Sequence, residues 1–436
     1  MLTPFVSLGI LSVLLFVALA IGTRVAITLA LTGGVGVMFL LDPAQPMVLG
    51  RQMWSATNSY TLTAVPLFVL MAELLVRTGI SGRAYTVALQ WLGSVRGGAA
   101  HAAVLGSAVF AAMSGSSVAN AAAMGTIAGK QMAQIGYSHR LNFGTIAAGG
   151  TLGILIPPST ALIIYGALTN ESIGQLFMAG VIPGLIGVVL FFAVVAVWVR
   201  LHPEDAPRMA PVPMRERLAS LGAVFPALVL LVVVLGGIYW GFFSPTEAAG
   251  IGAFCAAVIA MAQRLLTVEI VRSSLRATVN VTAMIMFIIA AATVVTYVIG
   301  FLQIPAILSQ KVVSSGLPLL VVLLLVAVLF IVLGCFVEST ALIVLTIPVL
   351  HPVMTSLGVS GIWLGIFLVV LVEIALIHPP VGLNLFVLQK IPAGQSFADI
   401  AIGAVPYLLA LFLLLGLMIA YPALATWLPE TMTVRH

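Results

Sequence analysis

The chain has 436 residues, of which 62% are hydrophobic and only 7% are charged. This composition excludes a soluble domain and is typical of a polytopic membrane protein. The formal net charge of +5 comes from Lys and Arg residues scattered through short loops, so the positive-inside rule explains it better than a nucleic-acid partner does.

Three apolar segments at the start of the chain are candidate membrane spans, because a spanning helix needs about 20 apolar residues. They are residues 5–22, 25–41 and 54–76. The first lacks the basic start and the small-residue exit of a cleaved signal peptide, so we expect it to be retained as a helix.

Residues 99–135 are also apolar, but Ser114-Gly-Ser-Ser and Asn120 interrupt them. If this region is a re-entrant hairpin and the N-terminus lies outside, nearly all Lys and Arg residues fall on the cytoplasmic side. The exceptions are Arg51, Lys311 and Arg435. A single crossing would move Lys130, Arg140 and the basic residues after them outside, so the charge bias favours the hairpin. Its tip must be buried in protein or face water.

The same order of features occurs twice in the sequence. A polar tip at Ser114 is followed by a break at Pro157-Pro158, and a polar tip at Glu338 is followed by a break at Pro379-Pro380. The Pro-rich and charged segment 201–218 separates the two halves. In the topology above, the first hairpin opens to the cytoplasm and the second to the outside, so the halves form an inverted repeat. Interrupted helices at matching positions of inverted halves indicate a transporter's binding site.

The tips and breaks also suggest what binds there, because each leaves helix ends without intrahelical partners. Free N–H groups at the positive end of a helix suit a carboxylate, and free carbonyls and hydroxyls suit Na⁺. Neither tip and neither break contains Lys or Arg. The charge of an acid would therefore be met by helix ends, hydroxyls and bound Na⁺.

Seven motifs that run in order across nearly the whole chain carry a family resemblance. They are AVPLFVLMAELL (64–75), MSGSSVANAAAMGTI (113–127), AAGGTLGILIPPS (147–159), AGVIPGLIG (179–187), SPTEAAGIGA (244–253), HPPVGLNLFVL (378–388) and YPALATWLP (421–429). Together they resemble the large membrane (M) subunit of TRAP transporters, the tripartite ATP-independent periplasmic family. The chain departs from the family at His378, where Thr is frequent, and at Glu338, where Asp is common.

The resemblance implies an elevator-type secondary transporter in the bacterial inner membrane, which fits the all-α inverted repeat described above. The charge-based topology predicts that both termini are periplasmic. The resemblance also implies uptake of an organic acid, such as a C4-dicarboxylate, a keto acid or sialic acid, coupled to Na⁺ and without any other cofactor. A periplasmic binding protein would deliver the substrate. Because the chain starts directly with the large-subunit pattern, we expect the small four-helix (Q-type) subunit as a separate chain.

The expected domains follow from the two repeats and the segments around them. They are N-terminal scaffold helices (1–98), a first repeat core (99–200) with a hairpin (99–135) and a broken helix (141–170), a cytoplasmic linker (201–218), scaffold helices with an interfacial arm (219–279), and a second inverted repeat (280–436) with a hairpin (316–357), a broken helix (361–389) and a last helix (402–428).

The candidate site residues lie at the tips and breaks, and none is predicted to be catalytic or to bind a transition metal. The predicted Na⁺ site comprises Ser114, Ser117, Asn120, Gly153, Pro157, Glu338, Thr340, Pro379 and Gly382. The predicted substrate site comprises Ser116, Thr151, Ser159, Ser339, His378 and Asn384.

Several of these features also have a structural explanation. The small residues could form a helix-packing face, the Pro-Pro pairs could be kinks, and Glu338 could cap the following helix. Glu373 fits an ion site or a structural pair equally well, and Glu73 is interpreted as pairing the scaffold with another subunit.

Three other functions are alternatives to a TRAP-type transporter subunit. A serine hydrolase would need Ser116 or Ser117 beside His351 or His378. A stand-alone symporter would need no binding protein, and a non-transporting scaffold would need no broken helices.

Overall fold

The computed structural model describes residues 3–41, 46–335 and 337–433, and only the backbone of Ser81. The described chain is helical and contains no strand. The ends of the predicted domains at 1–2 and 434–436, including Arg435, lie outside the described residues. The helices are α1 (Pro4–Ala20), α2 (Val25–Val35), α3 (Met47–Thr57), α4 (Ala64–Arg77), α5 (Ile80–Leu92), α6 (Gly98–Ser114), α7 (Ser117–Met124), α8 (Lys130–Ile135), α9 (His139–Leu155), α10 (Thr160–Thr169), α11 (Ile173–Leu201), α12 (Met214–Leu221), α13 (Phe225–Tyr239), α14 (Pro245–Ala262), α15 (Val268–Phe301), α16 (Ile304–Ser314), α17 (Leu319–Gly334), α18 (Ser339–Ser356), α19 (Gly361–Ile377), α20 (Leu383–Gln389), α21 (Phe397–Ala420) and α22 (Ala423–Glu430).

Seven helical stretches of the described chain are long and apolar enough to cross a membrane, or eight if the bent pair α12–α13 is one span. This confirms the prediction of an all-α polytopic membrane protein. Helices α6, α17 and α19 have 17, 16 and 17 residues, which is at the short limit for a crossing. Such lengths suit hairpins and broken helices, and the re-entrant course of the hairpins stays a prediction.

At each polar tip, capping residues mark where one helix ends and the next begins. Helix α6 ends where Gly115 takes a left-handed conformation (φ 62°), and Ser116 then caps α7. In the second half, the side chain of Glu338 caps α18 by accepting from the backbone N–H groups of Thr340 and Ala341. Each tip is therefore a place where one helix stops and another starts within a few residues.

At each break, a Pro-Pro pair ends the helix that precedes it. Ile156 and His378, the residues just before each Pro-Pro pair, are both extended, as a following proline favours. Pro157-Pro158 and Pro379-Pro380 both have a cis peptide bond. Neither pair offers an N–H to continue the helix, and α20 begins only after Gly382.

The helices of the two halves pack reciprocally. Helices α6 and α7 contact α9, and α17 and α18 contact α19. The later half of each broken helix crosses over, so that α10 contacts α18 of the second half and α20 contacts α7 of the first. Helices α2 and α15 likewise pack together, as α14 and α4 do. This arrangement places α10 of the first half against the second tip and α20 of the second half against the first tip.

Three helices differ from their predicted extents. The predicted arm at 267–279 continues into the next span as the single helix α15, because no proline and, before Gly300, no glycine interrupts it. The predicted last helix at 402–428 is instead α21 followed by α22. The chain leaves helical geometry at Tyr421 (φ −131°, ψ 78°), just before Pro422. The predicted span at 54–76 starts at Tyr60.

The linker 201–218 is attached to the first half. The backbone N–H of Ser138 donates to the Asp205 carbonyl at 3.1 Å, and the Trp198 indole donates to the Asp205 carboxylate at 2.7 Å. Farther along, the Met209 N–H donates to the Gly93 carbonyl at 3.2 Å. The connector is therefore fixed to helices α5, α9 and α11, near their ends.

Candidate functional site

A cavity of about 280 Å³ lies where the first tip, the first break and the second tip meet helices α4 and α15. The tips and the break supply its polar wall, which consists of Ser114, Gly115, Ser116, Pro158, Ser159, Thr160, Glu338 and Thr340. Helices α4 and α15 supply a wall that is mainly apolar, including Phe68, Val69, Met71, Val76, Val281, Met284 and Ile285. No Lys or Arg of the described chain lines it.

Three helices begin at this cavity, because the cap residues of α7, α10 and α18 all line it. These caps are Ser116, Ser159 and Glu338. The Ser116 hydroxyl accepts from Ala119 N at 3.5 Å, whereas α10 has no side-chain cap. Its cap residue Ser159 donates instead to the Ile154 carbonyl at 2.6 Å. The cavity thus faces the positive ends of three helix dipoles, and the start of α10 is the one without a side-chain acceptor.

The Ser114 hydroxyl is a polar group without a partner at this wall. Its oxygen is buried and forms no hydrogen bond within the described residues. The neighbouring Thr160 hydroxyl, by contrast, donates to the Gly115 carbonyl at 3.0 Å. A buried hydroxyl without a partner is costly, so a bound ligand or water is needed to satisfy Ser114.

Glu338 has several donors around its carboxylate. The backbone N–H groups of Thr340 and Ala341 donate to it at 3.0 and 3.3 Å. The hydroxyls of Ser339 and Thr340 donate at 2.6 and 3.2 Å. The helix-capping interpretation therefore describes its contacts, and the same carboxylate brings a negative charge to the cavity wall.

Behind the cavity, three predicted site residues form a buried polar cluster. Asn384 on α20 donates to the Ser117 hydroxyl at 3.0 Å and to the Ala147 carbonyl at 3.2 Å. Asn120 on α7 donates to the Ser107 and Gly149 carbonyls at 3.0 and 3.2 Å. Asn120 and Asn384 are fully buried. The cluster ties α7 to α9 and to α20 of the other half, so these side chains position the first tip.

Gly153 permits the close approach of α9 to the first tip. A Cβ at this position would lie 2.6 Å from the Ser116 carbonyl oxygen and 2.9 Å from Ser117 N. Thr151, two residues earlier, is buried and donates to the Ala148 carbonyl of its own helix at 2.8 Å. Both residues support the site from behind and do not line the cavity.

The remaining predicted residues lie elsewhere. Pro157 lines a separate, apolar groove with residues of α11 and α13. Ser339 is buried, with its hydroxyl on Glu338. His378, Pro379 and Gly382 do not line the cavity, and the buried Nδ1 of His378 has no partner within the described residues. The first break thus contributes to the cavity, and the second does not.

The sequence predicts that Glu73 pairs the scaffold with another subunit, and the structure shows a contact within its own helix. Glu73 lines the cavity from α4, and its carboxylate accepts from Arg77 Nε at 2.7 Å on the same helix. The signal was present in the sequence, since a Glu four residues before an Arg is a favourable helical pair. No interaction with another subunit is required to explain Glu73.

Comparisons with known proteins identify the family of the chain. Residues 12–424 match the family described as "Tripartite ATP-independent periplasmic transporter, DctM component". The chain belongs to this DctM family. The resemblance of its motifs to the large membrane subunit of TRAP transporters is thereby confirmed.

Two relatives align with the chain over nearly their whole length. The C4-dicarboxylate TRAP transporter large permease protein DctM of Pseudomonas aeruginosa is 38% identical over 405 residues, which cover 92% of this chain and 94% of that protein. The sialic acid TRAP transporter large permease protein SiaM of Vibrio cholerae is 32% identical, covering 96% and 93%. Among solved structures, the Alcanivorax borkumensis YdaH transporter matches with a TM-score of 0.61 at 17% identity, covering 88% and 91%. That likeness concerns the fold alone.

Proposed function

We propose that the chain is the permease through which an organic acid is taken up across the bacterial inner membrane, driven by a Na⁺ gradient. Membership of the DctM family supports secondary transport, and relatives are named for C4-dicarboxylates and for sialic acid. The observation that carries the proposal is the cavity at which three helices begin. A carboxylate is the ligand that such helix starts favour.

The acid binds at the first tip and the first break in this proposal. The start of α10 lacks a side-chain cap and the Ser114 hydroxyl lacks a partner, so a substrate carboxylate satisfies both. The second tip, at Glu338, supplies negative charge for Na⁺. Since no Lys or Arg of the described chain lines the cavity, the bound cation offsets the charge of the acid, and this couples the two.

The transport step is a rigid-body movement in this account. The moving unit comprises α6–α11 and α17–α21, whose helices pack reciprocally. Helices α4 and α15 form the static wall. The cavity lies between the two, so sliding of one past the other transfers the site across the membrane. The re-entrant hairpins and the inverted repeat belong to the same proposal.

The proposed membrane orientation of the chain also indicates which conformation of the transporter the structure represents. With the N-terminus outside, α4 runs towards the cytoplasm and ends at Arg77, and α15 enters from the cytoplasm with Arg272 and Arg276 near its start. The cavity lies against 68–76 of α4 and 281–285 of α15. Both segments are in the cytoplasmic halves of their spans, so this is the inward-facing state. Both termini are then periplasmic.

Two partners complete the proposal: a separate small membrane subunit of four helices and a periplasmic binding protein that delivers the acid.

The alternative of a stand-alone symporter needs no binding protein. The serine hydrolase alternative loses its geometric support, because Ser117 contacts Asn384, and neither Ser116 nor Ser117 bonds a histidine within the described residues. His351 contacts Glu171 at 3.5 Å instead.

Uptake into proteoliposomes tests the proposal. The vesicles contain this chain with its small subunit, and labelled C4-dicarboxylates, keto acids and sialic acid are supplied with or without an inward Na⁺ gradient and the purified binding protein. Uptake that requires both the gradient and the binding protein is the expected result. Uptake that requires only Na⁺ supports the stand-alone symporter. Absence of uptake of every acid by a folded complex contradicts the proposal.

A further inference from the structure

The most isolated carboxyl group in the described chain is that of Glu373. It lies in α19 and is 0% exposed. Neither of its oxygens has a hydrogen-bond partner within the described residues. Every residue of α19 from Trp363 to Ile377 is buried, so this carboxyl lies inside the helical core and not at the cavity.

The first half contains a matching position. Thr151 lies as far before Pro157-Pro158 as Glu373 lies before Pro379-Pro380, and helices α9 and α19 pack against each other. The Thr151 hydroxyl donates to the Ala148 carbonyl at 2.8 Å. The first half therefore carries a small polar group that its own helix satisfies, whereas the second half carries a carboxyl that its surroundings leave unpaired.

No ionisable side chain near α19 compensates for a charge on Glu373. The helices packed against α19 are α9, α10, α11, α17, α18, α20, α21 and α22. The titratable groups on these helices and at the residues that cap them, including His378 at the end of α19 itself, are His139, Arg140, Tyr165, Arg200, His202, Cys335, Glu338, His351, His378, Lys390, Asp399, Tyr407, Tyr421 and Glu430. None of these forms a hydrogen bond or ion pair with Glu373 in the described chain.

Several of these groups have partners of their own. Arg140 pairs with Asp399 at 3.3 Å, and His351 contacts Glu171. The Tyr165 hydroxyl donates to the Gly361 carbonyl. Tyr407 shares a hydrogen bond with Thr145, and Arg200 and Glu430 are exposed. Glu373 is therefore buried without a hydrogen-bond or ion-pair partner in the described chain.

An ionised carboxylate in such an environment costs several kcal/mol, because nothing replaces its hydration. A metal ion would offset the charge but needs several further ligands. Na⁺ would need further oxygen ligands beside the carboxylate, and no hydroxyl or amide side chain of the described chain is hydrogen-bonded to Glu373. We propose that Glu373 is a proton-binding site, whose carboxyl carries a proton at neutral pH and takes H⁺ in preference to Na⁺.

The position of Glu373 also determines what happens to the proton during transport. A rigid-body movement leaves the interior of the moving unit unchanged, so the proton stays bound and the residue adds no charge to that unit. This consequence depends on the proposed transport mechanism. The protonation itself does not, so the two can fail separately.

Infrared difference spectroscopy of the full-length protein tests the protonation directly. The wild type minus Glu373→Gln spectrum at neutral pH is expected to show the C=O stretching band of a protonated carboxyl, shifted in heavy water. Glu269→Gln, at an exposed position in the first turn of α15, is the matched control and should lose only a carboxylate band. A carboxylate band in place of the protonated band for Glu373 overturns the proposal.

The pH dependence of stability provides an independent readout. An exposed glutamate in the unfolded chain is ionised above pH ~4.3, so unfolding releases the Glu373 proton and the wild type loses stability as the pH rises. Glu373→Gln has no proton to release. Its unfolding equilibrium in denaturing detergent should therefore diverge from that of the wild type by about tenfold per pH unit, with the variant relatively more stable at high pH. Parallel curves for the two proteins contradict a protonated Glu373.

Discussion

The two halves of the molecule share one order of helices but present opposite chemistry at their centre. In the first half, the break lines the cavity, α10 begins there without a side-chain cap, and the Ser114 hydroxyl is unpaired. In the second half, the carboxylate of Glu338 already occupies the start of α18, and the break lies away from the cavity. In the proposed function, the first half therefore binds the anion and the second half supplies a negative charge for the cation.

The two halves also differ in how the tip packs against the broken helix. In the first half, the small residue is on the broken helix, where Gly153 lets the Ser116 carbonyl approach. In the second half, it is at the end of the hairpin helix, since a Cβ on Gly334 would lie 2.4 Å from the Ala375 Cβ. The same close contact is thus made with opposite partners, and only the first arrangement brings the break to the cavity.

The largest effect is expected from Gly153→Val. Its side chain would overlap the backbone of the first tip and separate α9 from α7, because a close-packed interior cannot make room for three carbons. We expect no detectable uptake in proteoliposomes. Gly300→Ala, where nothing lies within 4 Å of the new Cβ, is the control and should transport normally. Normal uptake by Gly153→Val would show that the tip does not depend on this contact.

Asn384→Leu should have the next largest effect, because Asn384 is the link by which the second half holds the first tip. The substitution leaves the buried Ser117 hydroxyl and Ala147 carbonyl without their donor, a loss of about 2–3 kcal/mol. Thermal unfolding of the purified protein measures it. The exposed Asn58, changed to Leu, controls for the substitution itself. A stability equal to that of the wild type would mean that the cluster does not join the halves.

Ser114→Ala tests the anion side of the comparison. Losing one hydrogen bond to a charged group removes about 1.5 kcal/mol or more, so the KM for the acid should rise about tenfold. At saturating acid, the Na⁺ concentration for half-maximal uptake should not change. Exposed Ser55→Ala, on α3, is the matched control. If Ser114→Ala changes the Na⁺ dependence and not the KM, the assignment of the first half to the acid is wrong.

Glu338→Gln tests the cation side and should have the smallest effect of the four. The amide keeps an acceptor for the start of α18 but removes the charge, so half-maximal uptake should require roughly fivefold more Na⁺, about 1 kcal/mol. The KM for the acid at saturating Na⁺ should be unchanged. Glu269→Gln serves as the charge-matched control. An unaltered Na⁺ dependence would leave Glu338 as a helix cap alone.

Features encoded locally were predictable from the sequence. Gly115 and the two Pro-Pro pairs stop helices through their own backbone chemistry, and Ser114, Ser116 and Ser159 are assigned to the site because they adjoin those stops. Glu338 and Thr340 are assigned to it because they lie at the second polar tip. The extent of α15 was missed because an amphipathic start followed by an apolar stretch was interpreted as two elements. Nothing in that stretch actually interrupts the helix.

Features that depend on contacts between distant segments were not predictable in the same way. Ser117 and Asn384 are 267 residues apart in the sequence, and no local pattern predicts that they pair. The same holds for the wall formed by α4 and α15, and hence for Glu73. Thr151, Pro157, His378 and the second break were assigned by analogy between the halves, whereas packing places them away from the cavity.

Equilibrium binding of the transported acid to the purified complex, measured with and without Na⁺, tests the central claim most directly. The claim is that a cavity without lysine or arginine on its described walls holds an acid only together with a cation. Binding at least about tenfold tighter in Na⁺ than in an equal concentration of a larger, non-coordinating cation is the predicted result. Equal affinity in the two solutions would contradict the account.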